Sequence, residues 1–139
     1  MTKKQYGDEA ERLAPSLRRI AYSIVRNEHD AQDAVQQALL SVWARRENVD
    51  LARLKPYLAR AVINACRDIQ RARQKAIPVE TVPESGYEPP DSALYDAVER
   101  LPEELRLPLL LHYMEGYKLA EIAGALGPVS YTHLTLPTT

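Results

Sequence analysis

Arg60, Asn64, Arg67 and Arg71 fall at spacings of four, three and four, which stacks them on one face of a helix as a largely cationic stripe. Guanidinium groups in such a row can neutralise successive phosphates of a polyanion, and an amide among them can hydrogen-bond a base edge. The neighbouring sequence strengthens this reading. Residues 53–75 carry seven basic residues and one acidic, against eight of each in residues 1–52 and three basic with ten acidic in residues 76–127. A formal net charge of -1 therefore conceals a local cationic block of the kind that faces nucleic acid. Other chemistries find no residues to carry them. His29, His112 and His133 share no ligand spacing with Cys66, so neither a metal nor a cofactor is implied. The sequence has no Walker loop, GxGxxG, HExxH or GxSxG, and Glu103-Glu104 falls in the first turn of a helix, where capping explains it. Nothing in the chain argues for catalysis.

The elements that must position the stripe are helices. The first segment runs from about Asp8 to Arg26, with a break expected near Pro15, and Leu13, Leu17, Ile20, Ala21, Ile24 and Val25 form its apolar face. Asp30 reads as the N-cap of a second helix that reaches about Arg46. In this helix Ala34/Val35, Ala38/Leu39 and Val42/Trp43 recur every four residues, which leaves Asp33, Gln36, Gln37 and Ser41 on the opposite face. The third helix, from Leu54 or Pro56 to Gln74, buries Leu58, Val62, Ala65 and Ile69 and carries the stripe on another face. Ile77 to Pro90, with four prolines and Ser85-Gly86, reads as a linker. Beyond it, Asp91-Ser92 can cap a helix to about Arg100, and Pro102 opens the next, which Pro108 should bend and Gly116 should end. A last helix spans Leu119 to Leu126. The chain is thus expected to be all-α, with a three-helix unit over residues 1–75, a linker over 76–91 and a smaller helical unit over 92–127.

At 139 residues the chain suits one medium domain or two small ones. Its 45% hydrophobic and 27% charged residues suit a helical globular protein. No apolar run is long enough to insert in a membrane, and no apolar segment follows Lys3 and Lys4, so a cytoplasmic location is expected. Cys66 is the single cysteine and reads as a small helix residue, partly buried.

The stretch Asp30 to Trp43, DAQDAVQQALLSVW, resembles the polymerase-binding helix of bacterial RNA polymerase sigma factors of the extracytoplasmic-function type. Tyr57 to Arg73, YLARAVINACRDIQRAR, looks like the promoter-reading helix of the same region, with Asn64 and Asp68 where the family has its Asn and Asp. Leu101 to Gly127 resembles the start of the family's C-terminal domain, sigma region 4, and the three-helix unit then corresponds to sigma region 2. The resemblance implies that Asp30, Asp33, Gln36, Gln37 and Leu40 meet the clamp helices of the polymerase largest subunit. Carboxylates and amides on one helical face suit an Arg-rich partner, and Leu39 and Leu40 can add apolar contact. Gln32 and Gln37 stand where the family usually carries acids.

It also implies that the third helix holds the melted minus-ten promoter strand. Arg60, Arg67, Arg71 and Arg73 are then the candidates for phosphates, and Lys55 and Asn64 for bases. Tyr57 can stack on a base, although its position in the family more often packs inward; Trp43 is expected in the core, and Asp68 is expected to tie down a neighbouring Arg. The partners implied are polymerase core, promoter DNA and an anti-sigma factor. Two further readings fit the helices: a helix-turn-helix regulator of duplex DNA, and a sigma-like interaction module without initiation activity.

Tyr117 to Gly127 reads as the first half of a helix-turn-helix. The residues after it, PVSYTHLTLPTT, carry no Lys or Arg and two prolines, which makes a poor recognition helix. Val129 to Thr138 resembles a translated sequencing-library adaptor, so residues 128–139 are expected to be a non-native tail and upstream promoter reading to be lost.

Overall fold

The computed structural model describes residues 1–75 and 92–127. All regular structure among the described residues is helical. The expected linker at 76–91 and the tail at 128–139 lie outside them.

Helix α1 spans Lys3–Val25, five residues longer at its start than its apolar stripe suggests. Thr2 and Gln5 explain the extension. The Gln5 backbone N–H donates to Thr2 Oγ1 at 3.1 Å and the Thr2 N–H donates to Gln5 Oε1 at 2.9 Å, so two otherwise orphaned donors are satisfied. Tyr6 on the added turn is buried, with its ring 5.3 Å from that of Trp43. Pro15 lies inside α1 without ending it. It is exposed, so the carbonyl it leaves unbonded faces water, while Leu13 and Leu17 on either side are buried and hold the helix against its neighbours.

Helix α2 spans Glu28–Ala44 and its cap is Asn27, whose side-chain oxygen accepts from the Asp30 N–H at 3.0 Å. The expectation that Asp30 caps this helix is therefore corrected: Asp30 sits in the first turn. Two short 3₁₀ turns, Arg46–Asn48 and Leu51–Arg53, lead into α3, Leu54–Lys75. The three helices share one core in which Leu17, Ile20, Ala34, Val42, Leu54, Leu58, Val62 and Cys66 are nearly or wholly buried. Each large aliphatic there contributes about 1.5–3 kcal/mol. Trp43 packs against this core only in part and carries the Arg46 guanidinium 4.0 Å above its ring.

Beyond residue 91 come α4, Ser92–Glu99, and α5, Glu103–Leu109. Pro102 is the residue before α5 and not its first. Past Pro108 the helix widens into a π turn, Leu110–Met114, closed by the Glu115 N–H donating to the Leu110 carbonyl at 3.0 Å. Proline has no N–H to give, and local π geometry is one way a helix absorbs that loss. Gly116, at a φ of 72°, supplies the left-handed residue that ends the segment. Helix α6 spans Leu119–Leu126. These C-terminal helices dock on the N-terminal ones. Leu107, Leu111, Tyr117, Ile122 and Ala125 join the same apolar core, with α6 against α3 and α5 against α1.

Candidate nucleic-acid and partner interfaces

The polar face of α2 is open. Asp33, Gln36 and Gln37 are exposed along it, and Leu40, one turn further, is 67% exposed among them. An isolated large aliphatic on such a face is ordinary, but amides, a carboxylate and a leucine in one row fit a partner helix. His29 Nε2 lies 3.5 Å from Asp33 Oδ2 at the start of this row. Asp30 does not share the face. It is 7% exposed and its carboxylate is paired with Arg73 near the end of α3. Burial thus sets Asp30 back from the partner face expected for it, whereas Arg73 pairs with it while keeping a side chain that is 47% exposed. The two side chains form an ion pair across the α2–α3 interface, where an unpaired carboxylate would be costly.

Helix α3 presents Arg60 and Asn64, the first two residues of its stripe, to an open groove of about 880 Å³, while Arg67 and Arg71 stand outside its lining. Gln37 and Ser41 line one side, Tyr57, Arg60, Asn64 and Asp68 the floor, and Glu121 of α6 the far edge. Arg45 and Arg53 add two cations that spacing along α3 does not show. Arg53 falls in the basic block, which is the one sequence signal that points to it; Arg45 ends α2 and has none. Tyr57 is 36% exposed on this groove and not in the core, so its ring is available to stack.

The predicted cations differ sharply in what already holds them. Arg71 pairs with Asp68 one turn before it, as expected for Asp68. Arg67 Nη2 lies 3.6 Å from Glu103 Oε1, and Lys55 Nζ 3.4 Å from Glu121 Oε1. Lys55 also stands 4.3 Å from the centre of the Tyr117 ring. Arg60 makes no ion pair among the described residues, and with exposed Asn64 it forms the open N-terminal end of the stripe.

Cys66, behind the stripe, is fully buried, its Sγ 3.8 Å from the Ala21 carbonyl oxygen. Burial pushes its thiol up to about 12, so it is inert. Burial likewise raises the Tyr117 phenol above its ordinary value. No group of three or more potential metal ligands occurs among the described residues.

Known proteins share the order of these two helical units. Residues 10–76 match the family described as "Sigma-70 region 2", and residues 91–127 match "Sigma-70, region 4". The chain is 34% identical over 123 residues to the RNA polymerase sigma-E factor of Streptomyces coelicolor, covering 81% of this chain and 68% of that protein. It is 36% identical over 121 residues to the ECF RNA polymerase sigma factor SigM of Mycobacterium tuberculosis, covering 80% and 60%. With RNA polymerase sigma factor SigV of Bacillus subtilis the identity is 30% over 119 residues, covering 78% and 70%. The chain thus spans about two thirds of the length of these relatives. Two helical regions in the family's order, with the open polar helix face and most of the groove lining in the first, accompany these matches, and the chain belongs to the sigma-70 family of transcription initiation factors, among those of the extracytoplasmic-function type.

Proposed function

We propose that this chain recruits bacterial RNA polymerase core to promoters through two faces of its N-terminal unit. Asp33, Gln36, Gln37 and Leu40 on α2 dock on the clamp helices of the polymerase largest subunit, where Arg side chains meet the carboxylate and amides. The α3 groove and the helix face beyond it take the melted minus-ten strand: in the groove Arg60 binds a phosphate, Asn64 reads a base edge and Tyr57 stacks, and outside it Arg71, Arg67 and Lys55 bind further phosphates. Asp30 and Arg73 act one step back by fixing α3 against α2. The reading rests above all on the groove, which gathers an amide, an aromatic ring and several cations on one open surface. The chain works in the cytoplasm beside polymerase, and an anti-sigma factor is a further partner; no helix of the described residues is long and apolar enough to cross a membrane. Reading of an upstream element is not assigned, because the second half of the helix-turn-helix would lie past the described residues.

The test is co-elution with sigma-free polymerase core. The chain should co-elute, and Leu40→Asp, a change on an exposed position, should abolish co-elution with an unchanged circular-dichroism spectrum. A folded wild-type chain that fails to bind core would sink the proposal.

A further inference from the structure

Three arginines bracket the connection between α2 and α3. Arg45 follows the last residue of α2, Arg53 ends the second 3₁₀ turn, and Arg60 lies in the second turn of α3. All three side chains are exposed, line one groove and make no ion pair among the described residues. Glu47 and Asp50 belong to the same connection but stand outside the groove lining. The two carboxylates that do line it, Asp68 and Glu121, are engaged by Arg71 and Lys55. Three guanidinium groups with no carboxylate of their own suit an anion that carries several charges close together.

The rest of the lining is that of a small-molecule site. Helix α6 supplies a third wall through Ala120, Glu121 and Gly124, and a Cβ built on Gly124 would stand 3.2 Å from Pro56 Cβ, so the wall meets the floor directly. A space of about 880 Å³ walled by three helices has the size that houses one ligand. On its floor the Tyr57 ring is 36% exposed, and Ser41, Gln37 and Asn64 offer groups that both donate and accept hydrogen bonds. We infer that this groove binds a free purine nucleoside polyphosphate. Its ring stacks on Tyr57, the Asn64 and Gln37 amides meet its base edge, and Arg45, Arg53 and Arg60 hold its phosphates. A polycarboxylate would satisfy the cations but leave the ring and the amides without a role. The inference goes beyond the strand reading and does not need it, because a nucleotide draws on the two arginines at the α2–α3 connection and on none of Lys55, Arg67 and Arg71. Nucleotide and strand would both use Arg60, Asn64 and Tyr57, so each excludes the other, and the supply of free nucleotide then sets how readily the groove takes a strand.

Titration calorimetry of the full chain with ATP and GTP, and separately with adenosine and inorganic tripolyphosphate, tests the site. At least one of the two nucleotides should bind with a Kd below about 100 μM, and both adenosine and tripolyphosphate should bind about ten-fold more weakly than it does. Arg45→Ala with Arg53→Ala, at exposed positions outside the core, should weaken the nucleotide about ten-fold or more. Tyr57→Ala should weaken the nucleotide by about ten-fold and leave tripolyphosphate unchanged. Tripolyphosphate that binds as tightly as the nucleotides would overturn the inference, because the base would then not be read. Unchanged nucleotide affinity in either variant would overturn it as well. Anisotropy of a fluorescent single-stranded minus-ten oligonucleotide on the same samples keeps the two readings apart. The nucleotide should displace the strand; a chain that binds the strand and neither nucleotide overturns this inference alone, and a chain that binds none of them overturns the strand reading with it.

Discussion

Arg60 and Arg73 belong to one helix and one basic block, yet their surroundings predict opposite consequences of their loss. Arg60 is exposed on the groove without an ion-pair partner among the described residues, whereas Arg73 is spent on the buried carboxylate of Asp30. For a single-stranded ligand each phosphate contact contributes about 0.7 to the slope of log K against log salt. Arg60→Ala should lower that slope by about 0.7, so that between about 50 and 200 mM salt the variant loses about 2.6-fold less affinity than the parent. Its melting temperature should hardly change. Arg73→Ala should leave the slope alone and strand a carboxylate whose side chain is 10% exposed. The cost of an unsatisfied buried group is about 1–3 kcal/mol, below the roughly 3–5 kcal/mol of a fully buried pair, because the Arg73 side chain is itself 47% exposed. In a domain of this size that is a drop in melting temperature on the order of 10 °C. Anisotropy titrations over a salt series, with thermal melts of the same samples, measure both quantities. If Arg73→Ala flattened the slope and left the melt unchanged, the division of labour argued from burial would be refuted.

Two further outcomes follow from local features. The Cys66 thiol is raised from 9.0 to about 12 in the folded chain, so the folded state keeps a proton that the unfolded chain loses. Stability from this source is complete below about pH 9 and is lost as pH rises toward about 12; Cys66→Ala should make the alkaline slope in pH-dependent melts shallower, leaving the part that comes from the raised Tyr6 and Tyr117 phenols, and an identical slope in the variant would contradict it. Asn27→Ala removes the acceptor for the Asp30 N–H and should cost about 1 kcal/mol in urea unfolding, whereas Asp33→Ala on the same helix should cost far less.

Helical periodicity dictates most of the fold. The apolar faces of α1, α2 and α3 and the bounds of α6 follow from spacing alone, because each helix buries one stripe. What spacing could not convey is which of several equivalent residues meets which distant one. Asn27 and Asp30 are both good caps, and Asp30 loses the part because Arg73, far along the chain, draws its carboxylate inward. Tyr57 has the same pattern whether it packs or lines a groove; the open edge between α2 and α6 decides it. Pro15 reads as a breaker, yet burial on both sides outweighs the single lost hydrogen bond. The stripe on α3 was legible as a row of charges. Its partition into free and engaged cations was not, because Glu103 and Glu121 belong to a different part of the chain.

The order of those charges along the chain matters during synthesis. A ribosome completes α3 before it has made any of the acids that later cover Lys55 and Arg67, and N-terminal units fold first as the chain emerges. For that interval the nascent protein holds a bare cationic helix beside ribosomal RNA, a polyanion at very high local concentration. The acidic helices arrive afterwards and supply, from the same molecule, the counterions that Lys55 and Arg67 meet in the folded chain.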